Sequence, residues 1–162
     1  MSLKRRKPRS PHGQLNRMAM RWPGLAARVL SDGPSIVWRG PLRGFQMEYQ
    51  VLVHWPWLAN PNTPHVFILD PQIRPRPGGR FEDIPHLNFD SSNPVDSALC
   101  LFDPDDGEWN STMLIADTTV PWASEWLHHY ELWHFDGVWR GPNAPGPISV
   151  GEMRQADELT DA

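Results

Sequence analysis

Residues 86–111 read HLNFDSSNPVDSALCLFDPDDGEWNS, and the cysteine at their centre, Cys100, is the only one in the chain. It sits in a short apolar run, Ala98-Leu99-Cys100-Leu101-Phe102, closed by the turn Asp103-Pro104-Asp105-Asp106-Gly107. Small Ser97 and Ala98 beside it, with loops on both sides, predict an accessible thiol. No Lys or Arg lies within nineteen residues of Cys100 in either direction, while residues 81–139 hold twelve Asp/Glu. Such surroundings disfavour a thiolate and predict a raised thiol pKa. A cysteine protease or thiol peroxidase depends on a thiolate poised in advance. A transferase thiol can instead be loaded by exchange from an activated acyl group. The local chemistry points to the second role.

Working outward, residues 70–98 carry Pro71, Pro75, Pro77-Gly78-Gly79, Pro85 and Pro94. They predict a long irregular loop of the kind that carries function. Before it, Leu25–Leu30, Ile36–Arg39, Gln46–His54 and His65–Leu69 read as strands, with turns at Ser31-Asp32-Gly33-Pro34, at Gly40-Pro41-Leu42-Arg43-Gly44 and around Asn60-Pro61. Consecutive strands on short connections predict a four-stranded antiparallel meander. Leu15, Met18 and Trp22 fall at helical spacing and stop at Pro23-Gly24, a short N-terminal helix. Downstream, Asp117–Phe135 reads as the one substantial helix. Pro121 lies in its first turn, where a missing N–H does no harm. Trp122, Trp126, Tyr130 and Trp133 form its apolar stripe, read as core. The predicted class is α+β: N-terminal helix, meander, cysteine-bearing loop, long C-terminal helix.

A chain of 162 residues is sized for one domain with one core. The expected boundaries are a flexible basic arm at 1–12, a folded domain at 13–150 and a polar tail at 151–162. The net charge of −4 hides a split, because residues 1–43 hold ten Lys/Arg against Asp32 alone. The acidic half is either a solvated face or a surface that meets a basic partner. Lys4, Arg5, Arg6, Lys7 and Arg9 on a flexible arm give only weak, salt-sensitive attachment to nucleic acid, which is not the expected partner. No run approaches the length of a membrane-spanning helix. One cysteine cannot make an internal disulfide, and an odd cysteine suits a reducing compartment, so a cytoplasmic location is expected. His129 and His134 lie five apart, off the i, i+4 spacing that aligns two ligands, so no metal site is expected. No phosphate-binding glycine motif is present and no cofactor is expected, so the chain does not itself activate a carboxyl group by adenylation.

The order His86-Leu87-Asn88, Leu99-Cys100-Leu101, Trp109-Asn110-Ser111 and then a helix resembles the ubiquitin-conjugating enzymes, whose pattern runs His-Pro-Asn, Ile-Cys-Leu, Trp-Ser-Pro. With Val37-Trp38-Arg39-Gly40-Pro41-Leu42 upstream, the chain resembles most the standalone conjugating proteins of type II (short) CBASS operons, which serve cyclic-oligonucleotide antiphage signalling. The resemblance covers roughly residues 13–145. It departs from the pattern in Leu87, in the absent proline after Ser111, and in a longer gap between Asn88 and Cys100. It implies that Cys100 carries the C-terminus of a partner protein as a thioester, that Asn88 stabilises the oxyanion or braces the loop, and that His86 fixes the loop rather than acting as a base. The implied client is a cGAS/DncV-like nucleotidyltransferase, supplied with or without a separate activating enzyme. Two alternatives stand beside this reading. One is an inactive conjugating-fold scaffold that only binds. The other is a Cys–His hydrolase, for which His54, His65, His86, His128, His129 and His134 are candidate partners.

Overall fold

Why the chain reverses where it does is written in its helix caps and turns. The computed structural model describes residues 5–103 and 105–141. Lys4, the last stretch of the expected domain at 142–150 and the tail at 151–162 lie outside the described residues.

Helix α1 runs Pro11–Arg21, two residues into the expected arm. Ser10 caps it by accepting the Gly13 N–H at 3.0 Å, and Pro11 occupies a first-turn position where its missing donor costs nothing. The arm is also held at Arg9, whose backbone N–H donates to Ser111 O at 2.7 Å and whose Nε donates to Thr112 O at 3.0 Å. Gln14, 1% exposed, and Met18 form the inner ridge of α1, with Leu15 and Trp22 half-buried beside them. The buried amide is satisfied on both ends: Nε2 donates to Met113 O and Oε1 accepts the Ile115 N–H, each at 2.9 Å. Asp117 accepts from Arg17 at 3.0 Å and from Arg21 at 2.7 Å, pinning the helix to the segment before α2. Burial pushes the Asp117 carboxyl up, but the Arg21 and Arg17 guanidiniums outweigh it and hold it below the usual range.

Strands β1 (Ala26–Leu30), β2 (Ser35–Arg43), β3 (Glu48–Trp55) and β4 (His65–Asp70) form the expected antiparallel meander in sequence order. Period-two alternation turns Ile36, Trp38, Leu42, Tyr49, Val51, Val53, Trp55, Val66 and Ile68 inward. One expectation is corrected here. Gly40-Pro41-Leu42-Arg43 is not a turn but the second half of β2, paired through to Glu48. Beyond Ala26, which pairs with Arg39, β1 has ended, and the Gly24 segment crosses this side of β2 without strand pairing, so the missing N–H of Pro41 interrupts no ladder there.

The loop over 70–98 is more ordered than its prolines suggest. It contains single 3-10 turns at Phe81–Asp83 and Pro94–Asp96, and two short strands, β5 (Leu87–Asn88) and β6 (Ala98–Leu99), which pair with each other. A 3-10 turn at Ile115–Asp117 then leads into α2, Thr119–Asp136. Its buried seam is Val120, Ala123, Trp126, Leu127, Tyr130 and Trp133, while Trp122 sits half-buried at the rim. Gly137 ends α2 in the left-handed region at φ 79, where a Cβ would also meet the Arg76 guanidinium at 2.6 Å. Among the described residues no helix is long and apolar enough to cross a membrane.

His54 and His65 face each other across β3 and β4. Burial lowers the pKa of both, and of His129 on α2. Between the ordinary histidine value of about 6.5 and the lowered folded values, the unfolded chain binds protons that the fold refuses. Stability is therefore expected to fall as pH drops below about 6.5. The thermal midpoint should be higher at neutral than at mildly acidic pH, and His65→Gln should flatten that slope. A midpoint indifferent to pH across this window would contradict the burial assigned to these imidazoles.

Candidate active site

Residues far apart in the loop are brought together by the β5–β6 ladder. Leu87 pairs with Leu99 and Asn88 with Ala98, and the Cys100 N–H continues the ladder to His86 O at 2.9 Å. His86 therefore stands opposite Cys100. Successive strand residues alternate between faces, so Asn88 shares a face with its partner Ala98, and Cys100, two residues on, continues that face, while Leu87 and Leu99 point into the core. In such a ladder a diagonal pair like Asn88 and Cys100 stands roughly 7–8 Å apart, within reach of an extended substrate group between them.

The long gap that separates Asn88 from Cys100 is absorbed by a hairpin loop at 89–97. That loop carries its own bracing: Asp90 Oδ1 accepts the N–H groups of Ser92 and Asn93 at 2.9 and 3.2 Å, and Asp90 N–H donates to Ser97 Oγ at 2.9 Å. The Asn88 side chain is half-buried and makes no hydrogen bond among the described residues. Its amide is thus uncommitted.

Cys100 departs from expectation. It is 2% exposed, and Ser97 and Ala98, at 3% and 8%, are buried with it. Small neighbours had suggested access; the ladder instead folds the cysteine against the body of the domain. His86, at 5% exposure, is held with φ 51, a left-handed conformation that histidine tolerates better than most residues. Its ring lies 5.3 Å from that of Trp139, and its carbonyl accepts the Trp126 indole N–H at 2.9 Å. Trp109 is core, 3% exposed, with Phe102 6.4 Å from its ring. Asn110 closes a local turn by accepting from Thr112 N–H at 3.0 Å.

Asp90, Asp96, Asp105, Asp106 and Glu108, all within ten residues of Cys100 in the chain, are exposed. Two contributors are not legible in the sequence: the stripe of α2 marks Trp126 only as core, and nothing local shows that its indole N–H, or the ring of Trp139, reaches His86, 40 and 53 residues earlier in the chain.

A cysteine on a short hairpin, preceded by a His-x-Asn element and set between an antiparallel meander and a long helix, defines the conjugating-enzyme (E2) class of fold. A family model described as type II CBASS E2 protein matches residues 14–147, and the chain belongs to that family, whose role is in CBASS defence. No curated protein gives a significant match.

Proposed function

We propose that Cys100 forms a thioester with the C-terminus of a partner protein and passes that acyl group to an amine. The client is the cGAS/DncV-like nucleotidyltransferase of the same system. The observation that carries the reading is the ladder: it sets Cys100 opposite His86 and puts the uncommitted amide of Asn88 on the same face. In this reading the thiol of Cys100 attacks the activated carbonyl, and the leaving group departs with the electron pair. Asn88 Nδ2 donates to the oxyanion that forms when the amine attacks the thioester. His86 serves through its backbone, setting the bend that brings Cys100 into register. The exposed acids that flank Cys100 in the chain suit a basic docking surface on the client or on an activating partner. Because Cys100 is 2% exposed, client engagement must uncover the sulfur.

That same burial favours a second reading, in which the domain binds a partner without covalent chemistry. Intact-mass analysis after co-expression with the neighbouring gene products separates the two. A thioester weighs the sum of both chains less one water, whereas a disulfide loses only two hydrogens. A thiol-labile adduct of the first mass, mapped to Cys100, supports the proposal; stable non-covalent association alone sinks it.

Asn88→Ala is the expected lesion in transfer. An oxyanion donor is worth about 2.7–4 kcal/mol, so single-turnover discharge should slow by roughly two to three orders of magnitude while loading changes less. Discharge at the wild-type rate would assign Asn88 to bracing the hairpin alone.

A further inference from the structure

We infer that Trp126 is a positioning residue for Cys100, acting through the carbonyl of His86; its kinetic consequence rests on the thioester reading. The β5–β6 ribbon has two paired residues on each strand. Two-stranded ribbons far longer than this are marginal in water, so the ladder cannot hold its own register. Something rigid must hold its end.

The His86 carbonyl is where that happens. It has two lone pairs and accepts two donors, the Cys100 backbone N–H at 2.9 Å and the Trp126 indole N–H at 2.9 Å. An indole nitrogen only donates, so the bond has one sense. Trp126 is 4% exposed and cannot swing away without leaving the core. Its ring stacks on Tyr130 at 5.5 Å with planes 10° apart, and packs at 5.5 Å against Trp139. Tyr130 is fixed in turn by the Arg74 backbone N–H, which donates to its hydroxyl at 2.9 Å. A continuous set of contacts therefore runs from the loop after β4, through α2, to the carbonyl against which Cys100 is aligned.

The left-handed bend at His86 makes the clamp necessary. The residue sits at φ 51, and a side chain in that region relaxes toward extended backbone unless its neighbours hold it. Relaxation would rotate the carbonyl and with it the end of the ladder, moving Cys100 relative to Asn88. Transfer is sensitive to such displacements, because reacting groups must sit in a near-attack arrangement.

Trp126→Phe keeps an aromatic ring and removes the donor. One ordinary hydrogen bond corresponds to about a five-fold change. The variant should therefore show about five-fold faster exchange of the Cys100 amide, read by NMR. Thioester discharge at saturating amine should be about five-fold slower, with the half-saturating client concentration unchanged. Trp133→Phe is the control: it is a comparably buried tryptophan on the same helix, 6% exposed, whose ring packs against those of Tyr130 and His134. It should lower the thermal midpoint to a similar degree yet leave Cys100 exchange and discharge unmoved. Site-specific benzothienylalanine at position 126, which replaces the indole N–H with sulfur in the same outline, should reproduce the Phe variant. Equal effects from Trp126→Phe and Trp133→Phe, or wild-type behaviour of the sulfur isostere, would overturn the assignment. If the wild-type protein never forms a thioester, the functional reading falls, and the amide-exchange comparison still decides the clamp.

Discussion

Cys100→Ala is expected to abolish every thioester between this chain and a client while leaving the domain folded. The sulfur is the sole thiol in the sequence, so no neighbour can take over as nucleophile. The structural cost is small. Cys100 is buried at 2% exposure, and removing one sulfur from a packed site resembles deleting a single methylene, about 1 kcal/mol. Its backbone bond to His86 O is untouched by the substitution. Co-expression followed by intact-mass analysis, beside a circular-dichroism melt of the variant, checks both halves. A folded alanine variant that still carries the client in a water-loss linkage would remove Cys100 from the chemistry.

The largest effect on stability is expected at Gly40. An added Cβ would lie 2.1 Å from Gly24 O, 3.0 Å from Gly24 C and 3.1 Å from Leu25 Cα. All three are main-chain atoms, and no rotamer change can relieve them. The segment joining α1 to β1 would have to lift off β2, drawing Leu25, 5% exposed, out of the core. Overpacking of this kind costs about 3 kcal/mol or more, a large share of the 5–15 kcal/mol that holds a typical domain together. In urea the midpoint of Gly40→Ala should fall by about 1–2 M, given ordinary slopes. Gly33 supplies the contrast, since nothing lies within 4 Å of its notional Cβ. Gly33→Ala should be neutral or slightly stabilising. Near-equal midpoints for the two variants would mean that the chain crossing at Gly24 yields easily.

Gly40 also shows where reading the chain residue by residue runs out. A Gly-Pro pair followed by Gly44 has the composition of a turn, and composition alone supported that reading. The structure runs a strand through it, because the glycine's missing side chain admits a neighbouring backbone rather than a reversal. The turn lies later, where Glu131 on α2 accepts the backbone N–H groups of Phe45, Gln46 and Met47. A carboxylate 84 to 86 residues away selects it.

What the sequence determined by itself is local and periodic. Alternation in β3 and β4, helical spacing in α1 and α2, and the stop signal at Pro23-Gly24 are set by each segment's own side chains and backbone preferences. Those signals sufficed for the order of elements and the α+β class, and the tripeptides around Cys100 sufficed for the family. Tertiary structure decided the rest. Burial of Cys100 depends on which segments fold against the hairpin, a long-range outcome that small neighbours in sequence do not encode. The place of Asn88 depends on register, which the number of residues in the gap does not reveal: the extra chain forms the loop at 89–97, and pairing of Asn88 with Ala98 restores the approach. Trp126 reads as one more core aromatic until α2 docks, because a hydrogen bond across forty positions exists only once packing has fixed both partners.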